Sequence, residues 1–155
     1  GTKAADMPQV PGPGKEERAA RAGALAARLH LEDKVQSLGS RTDVPQLLQA
    51  ADLFVHPATC QEGFGITLIE AMASGVPCLA FPKGAIPEII GPEIDGFLTE
   101  EVSAAALTAG INRALELFTK APHHWHTLCK NARQKAELFS IERTVAQLEA
   151  LYQEQ

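Results

Sequence analysis

Basic residues are scarce in this chain. Fourteen Lys and Arg stand against 19 Asp and Glu, for a formal net charge of -5. No basic stripe offsets that balance, which argues against a surface that tracks nucleic-acid phosphates. Long apolar runs are missing too: none reaches the roughly 18 residues that a membrane span needs. The chain does not open on a secretory signal, an absence that excludes little because the natural start can lie upstream of Gly1. Cysteine is sparse. Cys60, Cys78 and Cys129 are widely spaced and odd in number, which fits neither a disulfide framework nor a CxxC zinc site. Reduced thiols in a cytoplasmic protein are the simple reading, with Cys78, inside an apolar run, in the core. No Ser/His/Asp set is visible, and nothing adjacent activates Cys60 as a nucleophile.

What is present suits one compact domain or a large piece of one: 155 residues, 45% apolar and 21% charged,. Residues 1–14, "GTKAADMPQVPGPG", read as loop or linker, and the domain is expected over 15–155. Ala22, Leu25, Ala26 and Leu29 share one helical face. "KVQSLG" (34–39) reads as a short strand, and Asp43 is placed to cap a short helix through Ala50 with Pro45 in its first turn. "DLFVHP" (52–57) is a strand and a helix follows from about Gly65 to Ser74. Gly75 stands where a left-handed cap belongs, and Pro77 prevents continuation. "PCLAF" (77–81) is apolar throughout, as a strand buried on both faces should be. "DGF" (95–97) turns into a short strand near Phe97–Thr99. Three helical stripes close the chain: Leu107, Ile111, Ala114, Leu115 and Phe118; then, from Pro122, Trp125, Leu128, Cys129, Ala132 and Ala136; then, after Ser140, Val145, Leu148, Leu151 and Tyr152. This alternation predicts an α/β fold, a Rossmann-like parallel sheet with helices on both faces, followed by C-terminal helices.

The stretch "EGFGITLIEAMASGVP" (62–77) carries the chemistry. In a βαβ unit built from strand 52–56, helix 65–74 and strand 77–81, the loop 57–64 leaves the carboxyl end of its strand. Ligands of open parallel sheets bind at that edge. The first N–H groups of the helix have no intrahelical partner and resemble about half a positive charge. Gly63 and Gly65 let a ligand approach the backbone closely, and Phe64 between them is placed to wedge the turn. Thr67, Glu70 and Ser74 form the polar stripe of the helix. A carboxylate at Glu70 can accept both hydrogen bonds of a ribose diol, while Glu62 in the loop can reach a sugar beyond the phosphates. Acids near a helix start also complement the dipole, so spacing alone leaves a structural role open.

The segment "DLFVHPATCQEGFGITLIEAMASGVPCLAFPKGAIPEIIGPEIDGFL" resembles the C-terminal, donor-binding domain of retaining glycosyltransferases of the GT-B fold. These are the E-x7-E enzymes of glycosyl transferases group 1, which include sucrose synthases, glycogen synthases and many bacterial mannosyl- and glucosyltransferases. Glu62 and Glu70 match the E-x7-E hallmark, and the resemblance extends over roughly Leu29 to Tyr152. "LEDKVQSLG" looks like the strand before the nucleotide-base loop, and "FSIERTVAQLEALY" is similar to the family's closing helix. The resemblance implies that Glu70 binds the ribose of a sugar nucleotide. It implies that Glu62, the catalytic residue, contacts the transferred sugar and stabilises positive charge at its anomeric carbon. Backbone N–H groups of Phe64, Gly65, Ile66 and Thr67 would hold sugar hydroxyls and phosphate, with Gly63 in the same turn and Ser40 and Arg41 near the base.

The reaction implied is transfer of a sugar from a nucleotide diphosphate to an acceptor hydroxyl, with configuration retained and neither metal nor other cofactor. The expected partners are that donor and an acceptor glycan, lipid or small molecule. Peripheral membrane association of a full-length protein is compatible with this, and the setting expected is cytoplasmic glycan biosynthesis. The Arg and Lys that clamp the diphosphate in this family, and the acceptor domain, have no counterpart here, so the chain alone is expected to bind nucleotides weakly and transfer nothing. Gly84-Ala85 stands where the family has two glycines. Lys83 there is a surface residue or an anion contact, and Glu88 follows Pro87 as the family expects.

Two other readings use the same fold. A sugar-nucleotide epimerase would isomerise its sugar without any acceptor, and the E-x7-E spacing favours transfer instead. A non-catalytic nucleotide-sugar-binding module would not need both glutamates. Outside this stretch, His123, His124 and His126 crowd one helix start, but no ligand set with supporting partners is visible. His56 ends its strand at the ligand edge, as a buried histidine or as a contact to acceptor or sugar.

Overall fold

The computed structural model describes residues 14–153, and of Lys15 the backbone alone. Most of the expected N-terminal loop therefore lies outside the described residues. The chain divides into two compact units, Gly1–Thr42 and Asp43–Gln155. The first holds α1 (Lys15–Arg28), which forms as the spacing of Ala22, Leu25, Ala26 and Leu29 predicts. Only Ala26 of that face is buried. The strand predicted over 34–39 does not form. A strand exists only as a rung-bearing partner in a ladder, and no described residue pairs with this segment. Its apolar residues Val35 and Leu38 stay exposed.

The second unit is built on a parallel three-stranded sheet of β1 (Phe54–His56), β2 (Cys78–Ala80) and β3 (Gly96–Leu98), in that spatial order. Phe54 lies opposite Cys78, and Cys78 opposite Gly96. Side chains alternate across the sheet as the period of two requires. On one face Cys78, Ala80, Phe54 and Leu98 pack with α2 (Val44–Gln49), α3 (Ile66–Ala73), α4 (Ile86–Ile89) and the second half of α6 (Pro122–Glu137). On the other, Leu79, Phe97 and Val55 pack with α5 (Ala104–Lys120) and the first half of α6. β2 is thus fully buried on both sides, which explains the apolar continuity of "PCLAF".

The helix ends follow their local chemistry. Ser103 caps α5, its Oγ accepting from the Ala106 N–H at 3.0 Å. Pro122 sits in the first turn of α6 and Pro45 in that of α2, behind Asp43 at the N-cap position. Gly75 is left-handed after α3, as expected for its C-terminus. Two stripes differ from expectation. In α5 the buried residues are Ala114 and Leu117, while Ile111, Leu115 and Phe118 are exposed. Phe118 still meets Trp125 edge-on, ring centroids 5.4 Å apart. In α7 (Ile141–Gln153) the helix forms, but nothing on it is buried. Val145, Leu148, Leu151 and Tyr152 share a face that no described residue covers.

Candidate nucleotide-sugar site

β1 ends at His56, and the chain runs through 57–64 before entering α3. The loop therefore leaves the carboxyl edge of the sheet. Gly65, at the N-cap of α3, has φ 76°. Only a residue without a Cβ adopts this readily, and a Cβ would also stand 2.8 Å from Ile89 Cδ1. The left-handed turn folds the chain back so that Glu62 lies over the helix start. Gly65 N–H donates to Glu62 Oε1 at 3.0 Å. This bond, then one from the Phe64 N–H, and more weakly the His56 imidazole, hold the Glu62 carboxyl below the usual carboxylate range,.

The next loop braces this one. Ala85 N–H donates to the Glu62 carbonyl at 2.9 Å. Gly84 has φ 56°, and a Cβ there would drive into the Glu62 carbonyl and stand 2.7 Å from its amide nitrogen. Of the Gly84-Ala85 pair, the glycine is the position geometry requires. Lys83 is half-buried in the same turn, and Glu88 is exposed in the first turn of α4.

Farther along α3, Glu70 is exposed on the polar stripe with Thr67 and Ser74, as its spacing predicts. It lines a groove of about 400 Å³ with Val44, Pro45, Leu48 and Gln49 of α2, Ala73 and Ser74 at the end of α3, and Arg133 of α6. Ile66 and Thr67 at the helix start have N–H groups with no acceptor among the described residues, so both remain available to an anion or a hydroxyl. Gly63 and Phe64 are exposed in the turn. Phe64, read from the sequence as a wedge for the turn, leans edge-on against Phe139, centroids 6.2 Å apart. Glu62, Gly63, Phe64, Gly65, Ile66 and Thr67 are therefore gathered at the start of α3, whereas Glu70 lies farther along the same helix, in a groove that none of those six residues lines. Ser40 and Arg41 belong to the first unit, where Ser40 lines a cleft with Gly39 and with Glu16 and Arg18 of α1.

One contact, between His56 and Glu62, and one residue, Arg133, escaped the sequence reading. His56 Nε2 lies 3.6 Å from Glu62 Oε2. The signal was a histidine ending the strand whose loop carries Glu62, but a lone histidine names no partner. Arg133, in the groove with Glu70, comes from a distant helix, and no local pattern marks it. His123, His124 and His126 are exposed, and among the described residues no group of three or more His, Cys, Asp and Glu is placed to share a metal ion.

Comparison with known proteins gives a consistent picture. A relative from Bacillus anthracis, N-acetyl-alpha-D-glucosaminyl L-malate synthase, is 36% identical over 129 residues, which cover 83% of this chain and 32% of the relative. Among solved structures, sucrose-phosphate synthase from Thermosynechococcus elongatus superposes with a TM-score of 0.77 at 32% identity, over 96% of this chain and 36% of that one. Anabaena HepE in complex with UDP and glucose does so with a TM-score of 0.75 at 30% identity, over 88% and 37%. The chain spans about a third of the length of the curated relatives it matches. The family described as glycosyl transferases group 1 matches residues 12–135, and the chain belongs to that family.

Proposed function

We propose that this chain holds the nucleotide-diphosphate sugar of a retaining glycosyltransferase. Glu70 accepts both hydroxyls of the ribose, with Arg133 beside it in the groove. The Ile66 and Thr67 N–H groups take phosphate or sugar hydroxyls, aided by the positive end of α3. Glu62 lies against the sugar, where its carboxylate, kept ionised by the backbone, stabilises positive charge growing at the anomeric carbon as the bond to the diphosphate breaks. The acceptor oxygen then bonds to that carbon on the face the diphosphate leaves, its proton passing to the departing diphosphate, so that configuration is retained. This reading calls for no metal, because protein groups are to neutralise the leaving diphosphate. Ser40 and Arg41 remain its candidates for the base, and the acceptor, whether glycan, lipid or small molecule, belongs to the whole protein.

The observation that carries the reading is Glu62 seated on the first turn of α3 while two N–H groups of that turn lack acceptors. A carboxylate already occupies part of an anion-binding helix start, and space for a second anion remains. The UDP complexes of the related HepE support the choice of ligand. Calorimetric titration of the chain with UDP, GDP and ADP tests it. Glu70→Ala is expected to weaken the best of these by about 1.5–3 kcal/mol, roughly ten- to 150-fold in Kd. An unchanged Kd in a folded variant would remove Glu70 from the site.

A further inference from the structure

We propose that His56 is a positioning residue for Glu62: its Nε2–H holds the second carboxylate oxygen, so that backbone and imidazole together set the plane Glu62 presents to a donor sugar. The proposal rests on the reading of Glu62 as the sugar contact, and it adds a residue to that site. Three observations carry it. Oε1 of Glu62 is already taken by Gly65 N–H at 3.0 Å, which leaves Oε2 to be oriented by something else. Oε2 lies 3.6 Å from His56 Nε2. That nitrogen is buried and has no hydrogen-bond partner among the described residues.

A buried ring nitrogen without a partner is costly, and this carboxylate, 3.6 Å away, is able to accept its proton. The separation is slightly too long for a hydrogen bond. Rotation about the last torsion of Glu62, which is soft, closes it. The imidazole itself has little freedom. His56 is the last residue of β1, paired with Ala80, and its ring stacks on Phe54 at 6.2 Å between centroids. A neutral imidazole carries one proton. With a carboxylate as neighbour of Nε2, the tautomer that gains is the one protonated there. A sugar entering the site expels water, and in the lower local dielectric the pair tightens.

Two measurements on the chain test this. The first is nitrogen NMR of the histidine rings at neutral pH, in the unmodified chain and in Glu62→Ala. The expected result is a His56 ring protonated on Nε2, whose Nε2 resonance moves when Glu62 is removed. Protonation on Nδ1, or a spectrum indifferent to Glu62→Ala, overturns the proposal. The second is the affinity for UDP and for UDP-glucose in His56→Phe and His56→Gln. His56→Phe is expected to leave UDP binding alone and to weaken UDP-glucose roughly ten-fold, the loss of one hydrogen bond to a charged group. His56→Gln, which offers an N–H near the same place, restores most of it. Equal changes for the two ligands, or none, mark a merely structural histidine and overturn the proposal. Should His56→Phe fail to fold, the ring spectrum still decides. A chain that binds neither ligand, nor GDP or ADP, defeats the nucleotide-sugar reading instead, while the ring spectrum continues to judge the His56–Glu62 pair.

Discussion

Glu62 is held by its main chain as firmly as by its side chain. Its carbonyl accepts from Ala85, its carboxylate from Gly65, and its backbone lies where a side chain at Gly84 would stand. This makes Gly84 the most sensitive position of the site that touches no ligand. Gly84→Ala is expected to lose about 1–3 kcal/mol of stability from the left-handed backbone alone, with the collision against Glu62 added. It should also displace the loop and weaken nucleotide binding, although Glu62 and Glu70 are untouched. Thermal melts and calorimetry on the variant check both. A variant as stable and as tight as the parent would show that the two loops are not coupled. Much of this scale was legible in the sequence: the glycines flanking Phe64 and the spacing of the two glutamates announce a turn and a helix start. The bracing by Gly84 and the His56 contact were not, because both join residues of different loops and strands, and no single-sequence pattern encodes which loop meets which.

Elements whose signals are local formed as read. α3 starts just after Gly65 and stops just before left-handed Gly75, β2 is buried on both faces as its unbroken apolar run implies, and α6 starts at Pro122. Elements whose existence or packing depends on a distant partner departed from expectation. Residues 34–39 have strand-like composition but nothing described to pair with. The stripe of α7 is periodic yet uncovered, and that of α5 is rotated because Trp125 and Leu128 on α6 select Ala114 and Leu117. Periodicity announces a helix, whereas the facing element decides which residues are buried. At this scale the cap of α5 offers a test. Ser103 satisfies one of the free N–H groups of the helix start, and α5, with the first half of α6, covers one face of the sheet. Ser103→Ala is expected to lower stability by about 0.5–2 kcal/mol with nucleotide affinity unchanged, because α5 lies across the sheet from α3. Urea denaturation measures the first and titration the second. Loss of affinity with stability unaltered would contradict this division of the two faces.

For the whole second unit, two carboxylates pull stability in opposite directions with pH. Glu62, held low chiefly by the Gly65 N–H, contributes stability above its ordinary pKa, and that contribution is lost as pH falls through the folded value. Asp95 is raised chiefly by burial, although Gly91 N–H donates to its Oδ1 at 2.7 Å. Its contribution is complete below its ordinary pKa and is lost as pH rises through the folded value. Urea midpoints should therefore fall less steeply on acidification below the ordinary Glu pKa in Glu62→Gln, and should lose less with rising pH above the ordinary Asp pKa in Asp95→Asn, which keeps the acceptor for Gly91,. Slopes identical to the parent in both variants would contradict these assignments. Among the described residues no helix is long and apolar enough to cross a membrane, and the fold is that of the GT-B enzymes it superposes on. The central claim is that the turn from Glu62 to Thr67 and the carboxylate of Glu70 together grip a sugar nucleotide. Amide NMR of the labelled chain titrated with UDP-glucose tests it most directly. The account predicts saturable shifts concentrated at 62–70 and in the groove beside Glu70; saturable shifts confined to the distant surface around His123–Lys130, with 62–70 unmoved, would contradict it.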